Sequence, residues 1–413
     1  MKVSPREWRD NSTQLLQRIS RQLAKRMQIA ESELPQKLRI AETLTDWSAI
    51  VSLRQQARGN IAPWEDMDYL NWRYQKSPNN KCQFWIFEHQ QKIIGGIGVE
   101  QCTSHWKGFE TLQPNASIVK LLDIVVDPAW AGFGLGPWLN VYWGMQADIA
   151  LVIGSNPNSR PLLLKTMLRL SDRVMWRRSI VWSVHLRDRW NKTTWSRLQH
   201  RLWHSLWAIP IYCERQFNVF RKLYLKQRCA LSNTAIEPIF DFNVLEELLQ
   251  KINTKKHVMS DQRTSETLAW RFQHNPRREY CCIGLCFNNS WLGYLIFNQY
   301  LDEKSKKIIQ LCDWGSVENA ENGFSATQIL QLLVAFVLTH TSLEDHVRCE
   351  CLEYDAAMAR ALKMNGLIAR PHEEHMLTLG IAGAPRFTDP VLNQLLDKKN
   401  WMLSDFDADA DGF

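Results

Sequence analysis

The sequence predicts an α/β protein with a mixed sheet, built as two tandem copies of one fold joined by a basic, Trp-rich helical connector. Three observations lead there. The chain has 413 residues, which at roughly 150 residues per domain is too long for one small domain. It repeats itself: Tyr69-Leu70-Asn71-Trp72-Arg73-Tyr74-Gln75-Lys76-Ser77-Pro78 is echoed 198 residues later by Thr267-Leu268-Ala269-Trp270-Arg271-Phe272-Gln273-His274-Asn275-Pro276, and the same offset carries Gly95 onto Gly293. Within the first copy, strand-like and helix-like segments alternate, the pattern of a mixed α/β layer structure. Each copy then holds about 180 residues, an ordinary domain size.

The elements follow in order. Leu15, Leu16, Ile19, Leu23, Met27 and Ile29 recur at helical spacing with Gln, Arg and Lys between them, so residues 12–32 predict an amphipathic helix inside an N-terminal segment 1–37. The first copy spans 38–186. It opens with a short strand at Leu38 and Ile40, a helix after Thr45 and Asp46, and a helical stretch from Met67 to Tyr74 stopped by Pro78. Gln83 to Glu88 and Lys92 to Glu100, separated by His89-Gln90-Gln91, read as a hairpin. Ser117 to Asp127 is a further strand; it leads through a glycine-rich turn into a helix with Pro137 at its second position, where the missing N–H costs nothing. Ile149 to Ile153 is the next strand and Ser159 to Leu170 the next helix. The second copy spans 233–413. There Asp313 partners Asp123, and a strand at Cys349 to Tyr354 precedes a helix from Ala356 to Met364.

Composition narrows the class. A hydrophobic fraction of 45% and a charged fraction of 23% exclude disordered, collagen-like and disulfide-scaffold chains. No stretch of ~18 apolar residues exists to cross a membrane as a helix, and Met1-Lys2-Val3 leads into no apolar run of a secretory signal, so a cytoplasmic location is expected. Among the ten cysteines, Cys281, Cys282, Cys286, Cys349 and Cys351 form no CxxC pair; they are read as reduced core thiols, and no metal is expected.

Two features are unusual, the 19 Trp residues and the net charge of +7. Much of both lies in the connector, 187–232. Residues 187–228 hold ten basic side chains against two acidic ones, a net of +8, together with Trp190, Trp195, Trp203 and Trp207. Leu198, Leu202 and Leu206 recur there at helical intervals up to Pro210. Two readings stay open: an interdomain brace whose rings pack on both copies, or peripheral contact with an anionic membrane face through 187–228. Nucleic acid is disfavoured, because no recognised binding motif accompanies the charge.

The turn Trp130-Ala131-Gly132-Phe133-Gly134-Leu135-Gly136 carries the chemistry. Between a strand and a helix, backbone N–H groups and the positive end of the helix dipole can converge on a phosphate, and glycines let the anion approach closely. The spacing is neither a dinucleotide fingerprint nor a P-loop. Glycines in such a turn also serve positive φ alone, so both readings stand.

The stretch Val126-Asp127-Pro128-Ala129-Trp130-Ala131-Gly132-Phe133-Gly134-Leu135-Gly136 resembles the acetyl-CoA signature of the GNAT acyltransferase superfamily. The twice-seen Trp-Arg-Tyr/Phe element, and an ending of Trp401 followed by Asp405-Phe406-Asp407, resemble GNAT-like bacterial proteins of cell-surface polysaccharide synthesis. The resemblance implies two tandem GNAT-like acyl-CoA acyltransferase domains. Acetyl-CoA, or another acyl-CoA, would pair with the backbone of Ile124 and Val126. Its pyrophosphate would rest on the turn of Ala131, Gly132, Phe133, Gly134, Leu135 and Gly136, with Asn156 against the cofactor. Asp123 and Asn156 are the implied catalytic residues, Asp123 as general base. The sequence departs from the family at Ala131, where Arg or Gln is usual, at Pro137, and at Leu162-Leu163-Leu164-Lys165, where a Tyr acid is usual.

In the second copy Glu318 and Glu321 lie where a pyrophosphate would, so that half is expected to be structural or acceptor-binding. The Asp-rich end cannot form a calcium loop, because the chain stops at Phe413 before the required Glu. His372 and His375 have no further ligands in sequence and are read as surface or structural residues. The expected activity is transfer of an acyl group, in the first instance acetyl, to an amine or hydroxyl of a small-molecule or saccharide acceptor. The alternative is a non-catalytic GNAT-like scaffold at the cytoplasmic membrane face.

Overall fold

The computed structural model describes residues 4–58, 67–102, 116–153, 160–178, 219–225, 227–229, 233–253, 262–301, 305–318, 323–342, 345–352, 356–397 and 401. Its centre is one twelve-stranded mixed sheet. The first half contributes β1 (Leu38–Ile40), β2 (Cys82–His89), β3 (Lys92–Gln101), β4 (Ile118–Val126), β5 (Ile149–Ile153) and β6 (Leu168–Arg178). The second contributes β7 (Thr234–Ile239), β8 (Tyr280–Phe287), β9 (Ser290–Leu301), β10 (Lys307–Ser316), β11 (His346–Leu352) and β12 (Leu367–Gly380).

The spatial order is β1-β2-β3-β4-β5-β12-β6-β11-β10-β9-β8-β7. The last strand of each half is therefore exchanged. β12 pairs antiparallel with β5, and β6 pairs antiparallel with β11, while β6 and β12 pair with each other at the centre. Each half is completed by the other, so the two copies share one continuous hydrogen-bonded sheet.

The helices pack on both faces. α1 (Pro5–Met27) and α4 (Leu135–Gln146) cover one face of the first half; α2 (Leu44–Arg58) and α3 (Met67–Leu70) cover the other. α5 (Arg160–Thr166) follows β5. In the second half α6 (Glu246–Asn253) and α7 (Ser265–Leu268) lie on one face, α8 (Ala326–Thr339) and α9 (Ala356–Met364) on the other, and α10 (Asp389–Leu396) packs with Trp401 near β5 and β12.

Several boundaries differ from the sequence reading, each for a local reason. α1 starts at Pro5 rather than near residue 12, because Ser4 caps the N–H of Glu7 while the Glu7 side chain accepts from Ser4, with Pro at the first helical position. It ends at Met27, where Gln28 turns into the left-handed region. α1 also ties the halves together: the Trp8 indole donates to the Thr166 carbonyl and its ring lies against Gly380 of β12. The helix expected up to Leu170 stops at Thr166, because the alternation from Leu168 onward serves β6. Pro137 is the third helical residue rather than the second, still within the first turn where no acceptor is lost. Cys82, Cys282, Cys312 and Cys349 are buried as expected of core thiols; Cys281 is exposed, on the outer side of β8. The connector from 187 to 218 and the Asp-rich end beyond Trp401 lie outside the described residues.

The repeated Trp-Arg-Tyr/Phe element forms a clasp. In each copy a short α-helix runs into a five-residue π-helical turn, Asn71–Gln75 and Ala269–Gln273. The Trp72 Nε1–H donates to the Trp270 carbonyl at 2.8 Å, and the Trp270 Nε1–H donates to the Trp72 carbonyl at 3.0 Å. The two indoles stack at 5.5 Å between ring centres. This reciprocity is what an approximate twofold relation between the halves requires.

Candidate functional site

β4 and β5 run parallel and pair only from Ile118 opposite Ile149 to Lys120 opposite Leu151. β4 continues to Val126, held on its other edge by β3 up to the pair of Val126 with Gly95. Pairing of the two strands thus ends halfway along β4, which runs on toward the glycine turn beside β3, while β5 ends at Ile153. A bulge at Leu122 and Asp123, opposite the step from Ile97 to Val99, lies just past the end of that pairing.

Asp127 sets the turn. Its Oδ1 accepts from the Ala129 N–H at 2.9 Å, its own N–H donates to the Ile94 carbonyl, and Lys92 Nζ lies 2.6 Å from Oδ2. The Lys92 ammonium holds the Asp127 carboxyl below the usual carboxylate range, so it remains a charged cap. The N–H groups of Ala131 and Phe133 are engaged inside the turn, on the carbonyls of Pro128 and Trp130. Gly132 and Gly134 adopt φ of +82° and +93°, which glycine allows without strain.

Those two residues turn the chain into α4, whose N-cap is Gly134 with no side-chain cap. Among the described residues, the N–H groups of Gly132, Gly134, Leu135 and Gly136 have no acceptor, and the first helical bond runs from Trp138 to Gly134. The turn is exposed from Ala131 to Phe133, and a Cβ on Gly132 would meet nothing within 4 Å. Free amides at a helix N-terminus on an open surface are what an anion needs. Ile124 and Val126 border them: their Cγ2 atoms lie 3.9 and 3.5 Å from where a Cβ on Gly136 would sit.

A neighbour that the sequence did not point to lies beside the turn. Arg26, in the last turn of α1, places its guanidinium 4.4 Å from the Phe133 ring centre. Ile19 of α1 packs against Gly134, and Ser20 accepts from the Trp138 indole at 3.0 Å. α1 therefore brings a cation to a turn that has no charged side chain of its own from Trp130 to Gly136. The only sequence signal was the register of Arg26 on the helix.

Asp123 lies in the part of β4 beyond its pairing with β5, with its side chain 7% exposed. Its Oδ2 pairs with Arg54 Nη2 at 2.9 Å and accepts from the Tyr74 hydroxyl at 3.1 Å. Arg54 is fully buried. The guanidinium at this distance gives the buried carboxylate a counter-charge. The second half repeats the trio. Asp313, at the bulge of β10, pairs with Arg263 at 3.0 Å and accepts from Tyr294 at 2.7 Å, both partners buried. Burial, then the Asp313 charge, push the Tyr294 hydroxyl well above its usual range, so it stays a donor. Arg263 and Tyr294 are not the repeat equivalents of Arg54 and Tyr74, yet the same ion pair and hydroxyl are assembled. Asn156 lies outside the described residues.

The equivalent turn of the second half is different at the helix. Gly323 has φ of +67°, but Ser325 caps α8 and Gln328 reciprocates: Gln328 N–H donates to Ser325 Oγ at 3.3 Å and Ser325 N–H to Gln328 Oε1 at 2.9 Å. That helix start engages two of its amides, those of Ser325 and Gln328, with its own side chains. Glu318 lies nearby in sequence, and residues 319–322 are outside the described set.

No family model and no curated protein matches the chain. Two solved structures share its fold. A GCN5-related N-acetyltransferase from Anabaena variabilis superposes with a TM-score of 0.52 at 13% identity, covering 84% of this chain and 73% of its own. A conserved protein of unknown function from Enterococcus faecalis, given as a probable N-acyltransferase, superposes with a TM-score of 0.52 at 8% identity, covering 84% and 72%. At such identities it is the fold that is shared: the chain has a mixed α/β architecture of the kind found in GCN5-related N-acetyltransferases.

Proposed function

We propose that the protein is an acyl-CoA-dependent acyltransferase with one cofactor site, in its first half. The observation that carries this is the uncapped start of α4, with the free amides of Gly132, Gly134, Leu135 and Gly136, at the end of β4 beyond its pairing with β5. A pyrophosphate fits there because no Cβ intrudes, the amides lack acceptors and Arg26 adds positive charge. The backbone of Ile124 and Val126 would line the pantetheine arm, and Asn156 is proposed against it. Acetyl-CoA, when bound, would supply a thioester: an amine or hydroxyl of a small-molecule or saccharide acceptor would take the acyl group as the C–S bond breaks, and CoA would leave as the thiol with the proton the acceptor loses.

The self-capped start of α8 argues that the second half holds no cofactor; its role is to complete the sheet and wall the acceptor side. The residues behind the polysaccharide resemblance have structural employment. Trp72 and Trp270 clasp the halves, and Trp401 is buried with its indole on the Leu395 carbonyl. They do not narrow the acceptor further.

Asp123 remains the carboxylate proposed on the acceptor side. Its recurrence as Asp313, in the half with a capped helix, supports a strut at the bulge before a base. That observation favours a second reading, a non-catalytic acyl-CoA-binding scaffold. Thermal unfolding tests both: acetyl-CoA raises the melting temperature while acetate does not, since only a ligand of the folded state stabilises it. No rise at millimolar acetyl-CoA, with the protein shown to be folded, overturns the cofactor site. A rise without acyl transfer to any of a panel of amines and sugars selects the scaffold.

A further inference from the structure

The described part of the connector carries a feature outside the site. Residues 219–225 are helical. Arg221 faces inward, buried, and its guanidinium donates to the Asn365 carbonyl; Leu225, one turn on, packs on the core of the second half. This fixes which side looks out. Val219, Phe220, Leu223 and Tyr224 lie on the other face, with Phe220 69% and Leu223 59% exposed. Around the same anchor, Met364 and Ile368 flank Asn365 in sequence and are 52% and 46% exposed.

Large exposed apolar side chains gathered at one place mark a contact surface. Exposed cations accompany them along the chain: Lys222 on the same helix, and Arg360 and Lys363 on α9, which leads to the Asn365 anchor. The connector to which the helix belongs carries a net of +8.

We propose that this face docks on an anionic lipid bilayer, with the apolar side chains at the acyl boundary and the cations among the headgroups. Charge selects this occupant. A second copy of the chain would set Lys222, Arg360 and Lys363 against their own equivalents, and like charges across an interface repel. A nucleic acid would use the cations but leave Phe220, Leu223 and Met364 without a role. Apolar area together with basic charge is what an interfacial helix presents. Among the described residues no helix is long and apolar enough to cross a membrane.

The test is flotation of the full chain with vesicles of phosphatidylcholine alone and of phosphatidylcholine with phosphatidylglycerol, at low and physiological salt. The proposal expects flotation with anionic vesicles, weakened by salt. Phe220→Glu with Leu223→Glu abolishes it, and Lys222→Gln lowers the partition coefficient about fivefold. All of these side chains are exposed, so each variant is checked for an unchanged melting temperature; if the double variant melts early, Lys222→Gln alone decides. Absence of flotation at low salt overturns the proposal, as does equal binding to neutral vesicles or flotation indifferent to the variants. A dimer that the double variant splits, or duplex DNA bound in place of vesicles, assigns the face elsewhere and overturns it too.

Discussion

Gly132→Ala separates the cofactor role of the turn from its structural role. At φ of +82° an L-residue sits in the left-handed region at a cost of roughly 1–2 kcal/mol. A Cβ there touches nothing within 4 Å, so no clash is added, and unfolding should move down by a few degrees at most. The methyl group enters open space at the exposed turn, where the proposed pyrophosphate would have to approach. Losing one charge-assisted hydrogen bond to a phosphate costs about 1.5–3 kcal/mol, which is about 10- to 100-fold in affinity. Gly134→Ala is the contrasting variant: its Cβ would lie 3.0 Å from Ile19 Cγ2, so it loses stability through α1 as well as affinity. The assay is calorimetric titration with acetyl-CoA beside thermal unfolding of each variant. If Gly132→Ala binds acetyl-CoA as the wild type does, the turn is not the phosphate site.

Other outcomes follow from the same geometry. Asp123→Asn and Asp313→Asn each remove a carboxylate charge beside a buried guanidinium, and denaturant titration should show a loss of stability in both, of about 1–3 kcal/mol; an Asp123→Asn protein of unchanged stability but no turnover would return Asp123 to the role of base. Arg26→Ala should weaken acetyl-CoA binding by about threefold without moving the melting temperature, as expected of one exposed cation, and an unchanged titration removes Arg26 from the site. Trp72→Phe and Trp270→Phe should each cost about 1 kcal/mol for a lost indole hydrogen bond, with the double variant non-additive because the rings share one contact; strict additivity in denaturant melts contradicts the clasp. Arg39 holds the Asp46 carboxyl well below its ordinary value, so the stabilisation from Asp46 is present above about pH 4 and is lost as pH falls through the folded value. Asp46→Asn should flatten the acid limb of a stability profile, and an unaltered limb refutes the pairing.

What could be read from the sequence was whatever depends on near neighbours in the chain. The hairpin of β2 and β3, the strand into the glycine turn and the α4 start follow from alternation and glycine spacing, all local signals. The repeat of Trp72 as Trp270 was visible, but its meaning was not, because two residues 198 apart must be folded before they can exchange hydrogen bonds. The exchange of β6 and β12 was hidden for the same reason: strand order is a property of the assembled sheet, and either strand could equally have completed its own half. At the site, the turn residues were legible from their glycines, whereas Arg26 was not, since nothing in a helix sequence says what lies across from its last turn. Asp123 was picked out by its strand position; its ion pair with Arg54, 69 residues away, is a contact that no local pattern shows.

The proposed site is one per chain, at the uncapped α4 and not at the capped α8. Calorimetric titration of the full chain with acetyl-CoA reads this from its stoichiometry. One equivalent should bind, abolished or strongly weakened by Gly132→Ala and unaffected by Gly323→Ala. Two equivalents, or one that Gly323→Ala removes and Gly132→Ala spares, would contradict it.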